Sequence, residues 1–161
     1  MRLLLRSNSY AADETGGTRI AASPDTPGRE HWQWELGINA SHCDDNSDEK
    51  RSQSVQLPRP DDSMAQLVLT ADPREVSATL AARDLPEPVS LSREPGELLA
   101  LVIGRGVALL EGRHVLADLD TVVLAGEDPT DVRIEQISEE PVALAVIRLK
   151  PAGTGSLSWV P

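Results

Sequence analysis

Between residues 97 and 149 the chain is cut into short apolar runs by turn-forming residues at close, regular spacing, and this constrains the fold more than any single residue does. The runs at 97–103, 106–110, 121–124, 130–137 and 142–149 are rich in Leu and β-branched residues, and "GRG", "EGRH", "DLD", "GEDPTD" and "SEEP" separate them. Strands joined by tight turns need no more than this, whereas a helix of several turns needs longer periodic stretches. The pattern predicts antiparallel all-β structure. In "DVRIEQISEE" the apolar Val132, Ile134 and Ile137 alternate with charges, as a strand with one wet face requires. "VALAVIRL" is apolar on both faces and belongs in the middle of a sheet.

Upstream, residues 66–70 form another strand-like run, and "DPREVSATLAARD" reads either as a helix opened by Asp72 and Pro73 or as a strand with Val76, Ala78 and Leu80 inward. Its β neighbours favour the strand. "TRIAAS" and "WQWELGINAS" supply further strands near the start. Residues 42–63, "HCDDNSDEKRSQSVQLPRPDDS", are too polar to offset their ordering entropy by burial, which predicts a long mobile loop. The expected organisation is one domain over 1–161, with N-terminal strands in 1–41, the loop at 42–63 and a main half over 64–161. Phe is absent and aromatics supply only 2% of residues, so the core must be built from Leu, Val, Ile and Ala.

A formal charge of -11, with no basic run to offset it, repels phosphate backbones and anionic lipid, so neither nucleic acid nor membrane is an expected partner. Cys43 stands alone, excluding an internal disulfide and a multi-thiolate zinc site. Three leucines between Arg2 and Arg6 are too short for a signal segment, and the expected location is cytoplasmic.

Two separated regions resemble the HutD/Ves family of cupin-like proteins. Gly16, Gly17, Thr18, Arg19, Ile20 and Ala21 match that family's glycine-rich segment and the strand after it, and Trp34, Leu36 and Ile38 match its second strand. The stretch "LLALVIGRGVALLEGRHVLADLDTVVLAG", continued to "VALAVIRLKP", is similar to its second cupin half. There are departures: Asp13 to Thr15 replace a Trp and Asn, Glu35 and Gly37 replace an Arg and Ser, and the Glu after Thr-Arg is missing. The family's middle section has no counterpart before Ser63, so the first cupin half looks reduced. The resemblance implies a cupin-like antiparallel β-barrel or double-stranded β-sandwich, an RmlC-like jelly roll, as a reduced bicupin. It also implies a regulator or sensor tied to histidine utilisation.

Residue chemistry narrows the function. A metal cupin needs a His-x-His pair with a nearby Glu and a later His, and this chain has only His31, His42 and His114, unpaired. No metal or cofactor is expected. His114 falls in a hairpin turn, and His42 beside Cys43, Asp44 and Asp45 mixes hard and soft donors in the predicted loop. No catalytic residue is assigned, because nothing there fixes Cys43 against a base. Glu139, Glu140, Glu127 and Asp128 read as solvated turn charges. The ligand-binding candidates are Gly16 and Gly17, which allow close backbone approach, with Thr18, Arg19 and Trp34. Arg19 offers a planar fork to a carboxylate, and Trp34 shares a face with Trp32 as core or interface. These features favour a metal-free, non-enzymatic protein that binds a small, anionic metabolite. The alternatives are a small cupin isomerase or lyase, and a non-catalytic homodimeric interaction module that uses the two tryptophans.

Overall fold

The computed structural model describes residues 3–12, 17–24, 33–39, 51–154 and 157–161. In chain order the strands are β1 (Leu3–Leu5), β2 (Ala11–Ala12), β3 (Thr18–Ala22), β4 (Trp34–Ile38), β5 (Arg51–Pro58), β6 (Met64–Ala71), β7 (Val76–Leu85), β8 (Val89–Ser92), β9 (Leu98–Ile103), β10 (Val107–Leu110), β11 (His114–Ala117), β12 (Thr121–Leu124), β13 (Asp131–Gln136) and β14 (Val142–Pro151). They form three antiparallel sheets. The central sheet has the order β1-β12-β9-β14-β7, the N-terminal sheet β2-β3-β4-β6-β5, and the distal sheet β11-β10-β13-β8.

The central sheet is apolar on both faces because it separates two cores. Successive side chains of a strand point to opposite faces. On β9, Leu98, Ala100 and Val102 join the core shared with the N-terminal sheet. Leu99, Leu101 and Ile103 join the core shared with the distal sheet. β14 divides the same way, with Ala143, Ala145, Ile147 and Leu149 on one side and Val142 and Leu144 on the other. This is why "VALAVIRL" and "LLALVI" lack the alternation seen in β13, whose Val132 and Ile134 are buried between exposed Asp131 and Arg133. Ile137 falls past the end of β13 and is half exposed, outside that strand's inward row.

The architecture is a cupin-like β-sandwich. Its N-terminal sheet holds a strand where a loop was expected. β5 pairs with β6 along its whole length, from Arg51 opposite Ala71 to Pro58 opposite Met64, so residues 51–58 of the expected loop are a strand; 42–50 lie outside the described residues. Gln53, Val55 and Leu57 stand opposite the inward Leu69, Leu67 and Ala65, while Ser52, Ser54 and Gln56 form the other row. Only Val55 and Leu57 carry that period in sequence, too faint among the surrounding charges. The expected boundary at 64 also moves: β6 belongs to the N-terminal sheet, and β1 lies in the central sheet beside β12. Residues 76–85 are a strand rather than a helix, with Val76 buried and Ala78 and Leu80 packed on the same core.

Both long edges of the sandwich between the N-terminal and central sheets are bridged. On one side the chain crosses from β1 to β2 through a 3-10 turn at Ser7–Ser9, and Tyr10 reaches back to β12. On the other, the Gln53 carboxamide donates to the Ala78 carbonyl at 2.8 Å and accepts from the Leu80 N–H at 3.2 Å, occupying part of the β7 edge.

Candidate functional site

Of the residues singled out in sequence, Gly16 lies outside the described residues, and Gly17 is buried just before β3. Thr18 and Arg19 begin β3, opposite Ile38 and Gly37 of β4. The Arg19 guanidinium lies 3.3 Å from Glu35 on the neighbouring strand, so the fork offered to a ligand is already engaged. Glu35 alternates with Trp34, Leu36 and Ile38, which all enter the core between the two sheets. Arg19 and Trp34 are therefore on opposite faces of the N-terminal sheet, and one small ligand cannot touch both side chains. A register irregularity between Arg19 and Ala21 lets both Ile20 and Ala21 face that core.

Trp34 is the largest fully buried side chain among the described residues, at 1% exposure, and so does not lie on an open sheet face as the interaction-module alternative supposed; Trp32 lies outside the described residues. Its strand neighbours are small. Ala71 stands opposite on β6, and on the other side Ser23 receives the Trp34 N–H through its hydroxyl at 3.4 Å and gives its own N–H to the Trp34 carbonyl at 2.9 Å. The indole Nε1, also buried, has no hydrogen-bond acceptor. An orphaned donor of this kind costs about 1–3 kcal/mol, so native proteins seldom leave one.

The core around it is rich in small side chains: Ala21, Ala65, Ala71, Ala100, Ala143 and Ala145 belong to it, against Ala108 alone in the distal core. At the Trp34 end, the C-terminal residues close over the sandwich. Ala22 and Val160 exchange backbone hydrogen bonds at 2.9 and 2.8 Å, and Leu157 and Trp159 pack on the same core.

The opposite end is polar and tied. The Tyr10 hydroxyl donates to the Leu119 carbonyl and meets Thr121 Oγ1 at 2.7 Å, and burial pushes the phenol up from its ordinary value. Asp120 accepts from Arg6 at 2.6 Å and from the N–H groups of Ser7 and Ala117. Arg59 grips Asp118 through two bonds of 3.0 and 2.9 Å, and its hydrogen bond to that carboxylate raises the guanidinium's already high value. The carboxylates and the phenol of this group are engaged by other parts of the chain.

A second tied cluster lies beside β9 and β14. Glu97, 1% exposed, accepts from Arg148 at 3.0 and 3.1 Å and from the Glu94 N–H at 2.7 Å. Arg93 is buried, and its guanidinium bonds the carbonyls of Glu97, Gly126, Asp128 and Pro129. Asp128 is not the solvated turn charge expected from sequence: it is 8% exposed and closes its turn by accepting from the Ala125 N–H at 2.9 Å. Glu127, Glu139 and Glu140 are exposed, as expected.

His114 opens β11 opposite Leu110, half-buried; His31, His42 and Cys43 lie outside the described residues. Among the described residues, no three His, Cys, Asp or Glu side chains come together as a metal would require. No described helix is long and apolar enough to cross a membrane. Sequence reasoning missed the closed corner at Tyr10 and the state of Arg105, described below. The "GRG" spacing marked that turn but not the environment of its arginine.

No family model matches the sequence, and no curated protein matches it either. Solved structures do resemble it. PA5104, a conserved protein of unknown function from Pseudomonas aeruginosa PAO1, superimposes with a TM-score of 0.63 at 15% identity, covering 94% of this chain and 99% of that one. HutD from Pseudomonas fluorescens SBW25, in a structure described as a formate condition, gives a TM-score of 0.60 at 13% identity over 95% of this chain and 100% of its own. At such identities the likeness is one of fold.

Proposed function

We propose that this protein binds a small carboxylate-bearing metabolite between its N-terminal and central sheets, without converting it, and acts as a sensor on a HutD-like scaffold. The observation that carries the reading is the buried Trp34 N–H that lacks an acceptor inside an alanine-rich core. A carboxylate or carbonyl oxygen would satisfy that donor, and small surrounding side chains favour accommodation of a compact ligand body. The tie to histidine utilisation rests on the likeness to HutD and on the resemblance of "GGTRIA" and "WELGI" to the family's opening.

Arg19 has no part in this site, because Glu35 holds it on the other face of the sheet. A thermal-shift panel of urocanate, formiminoglutamate, glutamate and formate tests the reading, since ligand that binds only the folded state raises the midpoint by mass action. Urocanate, formiminoglutamate or glutamate should raise it in a saturable way in the wild-type protein and in Arg19→Ala, and not in Trp34→Phe. A flat response to the whole panel in wild-type protein removes the proposal.

A further inference from the structure

The "GRG" turn carries the second buried donor that the fold leaves unused. Arg105 links β9 to β10, and its half-buried side chain has an Nε that is buried without an acceptor. Among the described residues none of its nitrogens pairs with a carboxylate, although the chain carries 26 acidic residues against 15 Lys and Arg. Other arginines in sheltered positions are engaged: Arg59 by Asp118, Arg93 by four carbonyls and Arg148 by Glu97. The described arginines that lack a partner elsewhere, Arg51, Arg83 and Arg113, are exposed and solvated. Glu139 and Glu140, in the adjoining turn, are exposed and do not reach Arg105. Ser138 is spent on the Val107 N–H and the Glu140 carbonyl.

The turn is also held rigidly. A Cβ on Gly104 would lie 2.4 Å from the Pro58 carbonyl oxygen and 2.6 Å from the Leu57 side chain, so the backbone is pressed against the end of β5. Gly106 has a φ of +85°, and a Cβ there would come within 3.0 Å of the Val142 backbone. The Arg105 carbonyl accepts from the Ala143 N–H at 2.9 Å, and the Gly104 N–H donates to the Ala143 carbonyl at 2.8 Å. Two glycines and two hydrogen bonds thus hold the arginine on a fixed platform. Ala65, opposite Leu57 beside this turn, is six residues along β6 from Ala71, the partner of Trp34. At about 3.3 Å per residue the strand positions beside the two orphaned donors are about 20 Å apart along β6, so the two side chains are rooted at opposite ends of that strand.

We infer that Arg105 forms an anion-binding site of its own, built to take the carboxylate of a small monoanion. The planar guanidinium matches a carboxylate edge to edge, and the strongly negative chain disfavours multiply charged anions. The test is a titration of the 15N-labelled full chain with sodium formate at constant ionic strength, with sodium phosphate as a second arm. Saturable movement of the Arg105 Nε–H and of the Gly104 and Gly106 amides by formate is the expected result. Arg105→Gln should weaken the affinity at least tenfold with an unchanged urea midpoint, and Arg105→Lys should weaken it less. The inference is overturned by shifts in wild-type protein that only drift without saturating, by unchanged affinity in Arg105→Gln, or by tighter binding of phosphate than of formate. The Arg105 resonance in wild-type protein decides the matter even where a variant fails to fold.

Discussion

Tyr10 shows how one residue fixes the joint between two sheets. Its hydroxyl serves both Leu119 and Thr121 at the corner where the chain leaves the central sheet for the N-terminal one. Tyr10→Phe should lower stability by about 1–2 kcal/mol in urea unfolding at pH 8, the cost of orphaning part of a buried network. The phenol's value is raised in the folded state, so its contribution is fully present below the ordinary value of 10.0 and is lost as pH rises beyond it. The gap between wild type and Tyr10→Phe should therefore narrow above pH 10; a constant gap would show that the phenol is not protected by burial. Asp131 works in the opposite sense. Its bonds from Ser92 and Thr130 lower its value, so its contribution holds above 3.8 and fades as acid titrates it through the lowered value. Arg148→Ala should cost roughly 2–3 kcal/mol by stranding Glu97, less than the ~3–5 kcal/mol of a fully buried pair because Arg148 is 32% exposed.

At the scale of elements, β7 is a ten-residue edge strand, and such edges invite pairing with other chains. Gln53 blocks part of it by presenting its carboxamide as a strand would present a peptide group. Gln53→Ala should lose about 1 kcal/mol and make light scattering depend on protein concentration, whereas a variant that remains monodisperse would remove Gln53's guarding role. The legibility of the elements follows from burial. β9, β12 and β14 announced themselves because both faces are covered, and β13 because one face is. β5 did not, since its inward row begins with Gln53, whose partner is the backbone of a distant strand. Pairings such as Leu3 with Val123 also bring together residues that no local pattern connects.

For the molecule as a whole, the three-sheet arrangement separates two cores of different composition. The distal core is Leu, Ile and Val with one alanine and packs as a structural block, whereas the core holding Trp34 is lined by small residues and has an unmet donor. Part of this site was legible: "WELGI" marked Trp34 as a buried anchor in a chain without Phe. Its separation from Arg19 was not, because the faces of β3 and β4 are set by a register irregularity that the sequence does not announce. The most direct test of the account follows the indole N–H signal of Trp34, identified among the three tryptophan signals by its loss in Trp34→Phe. On addition of the panel carboxylates the account predicts a saturable downfield shift of that proton as it gains an acceptor. An indole signal that stays in place with every panel carboxylate, while resonances outside the Gly104–Gly106 turn report saturable binding, would contradict it.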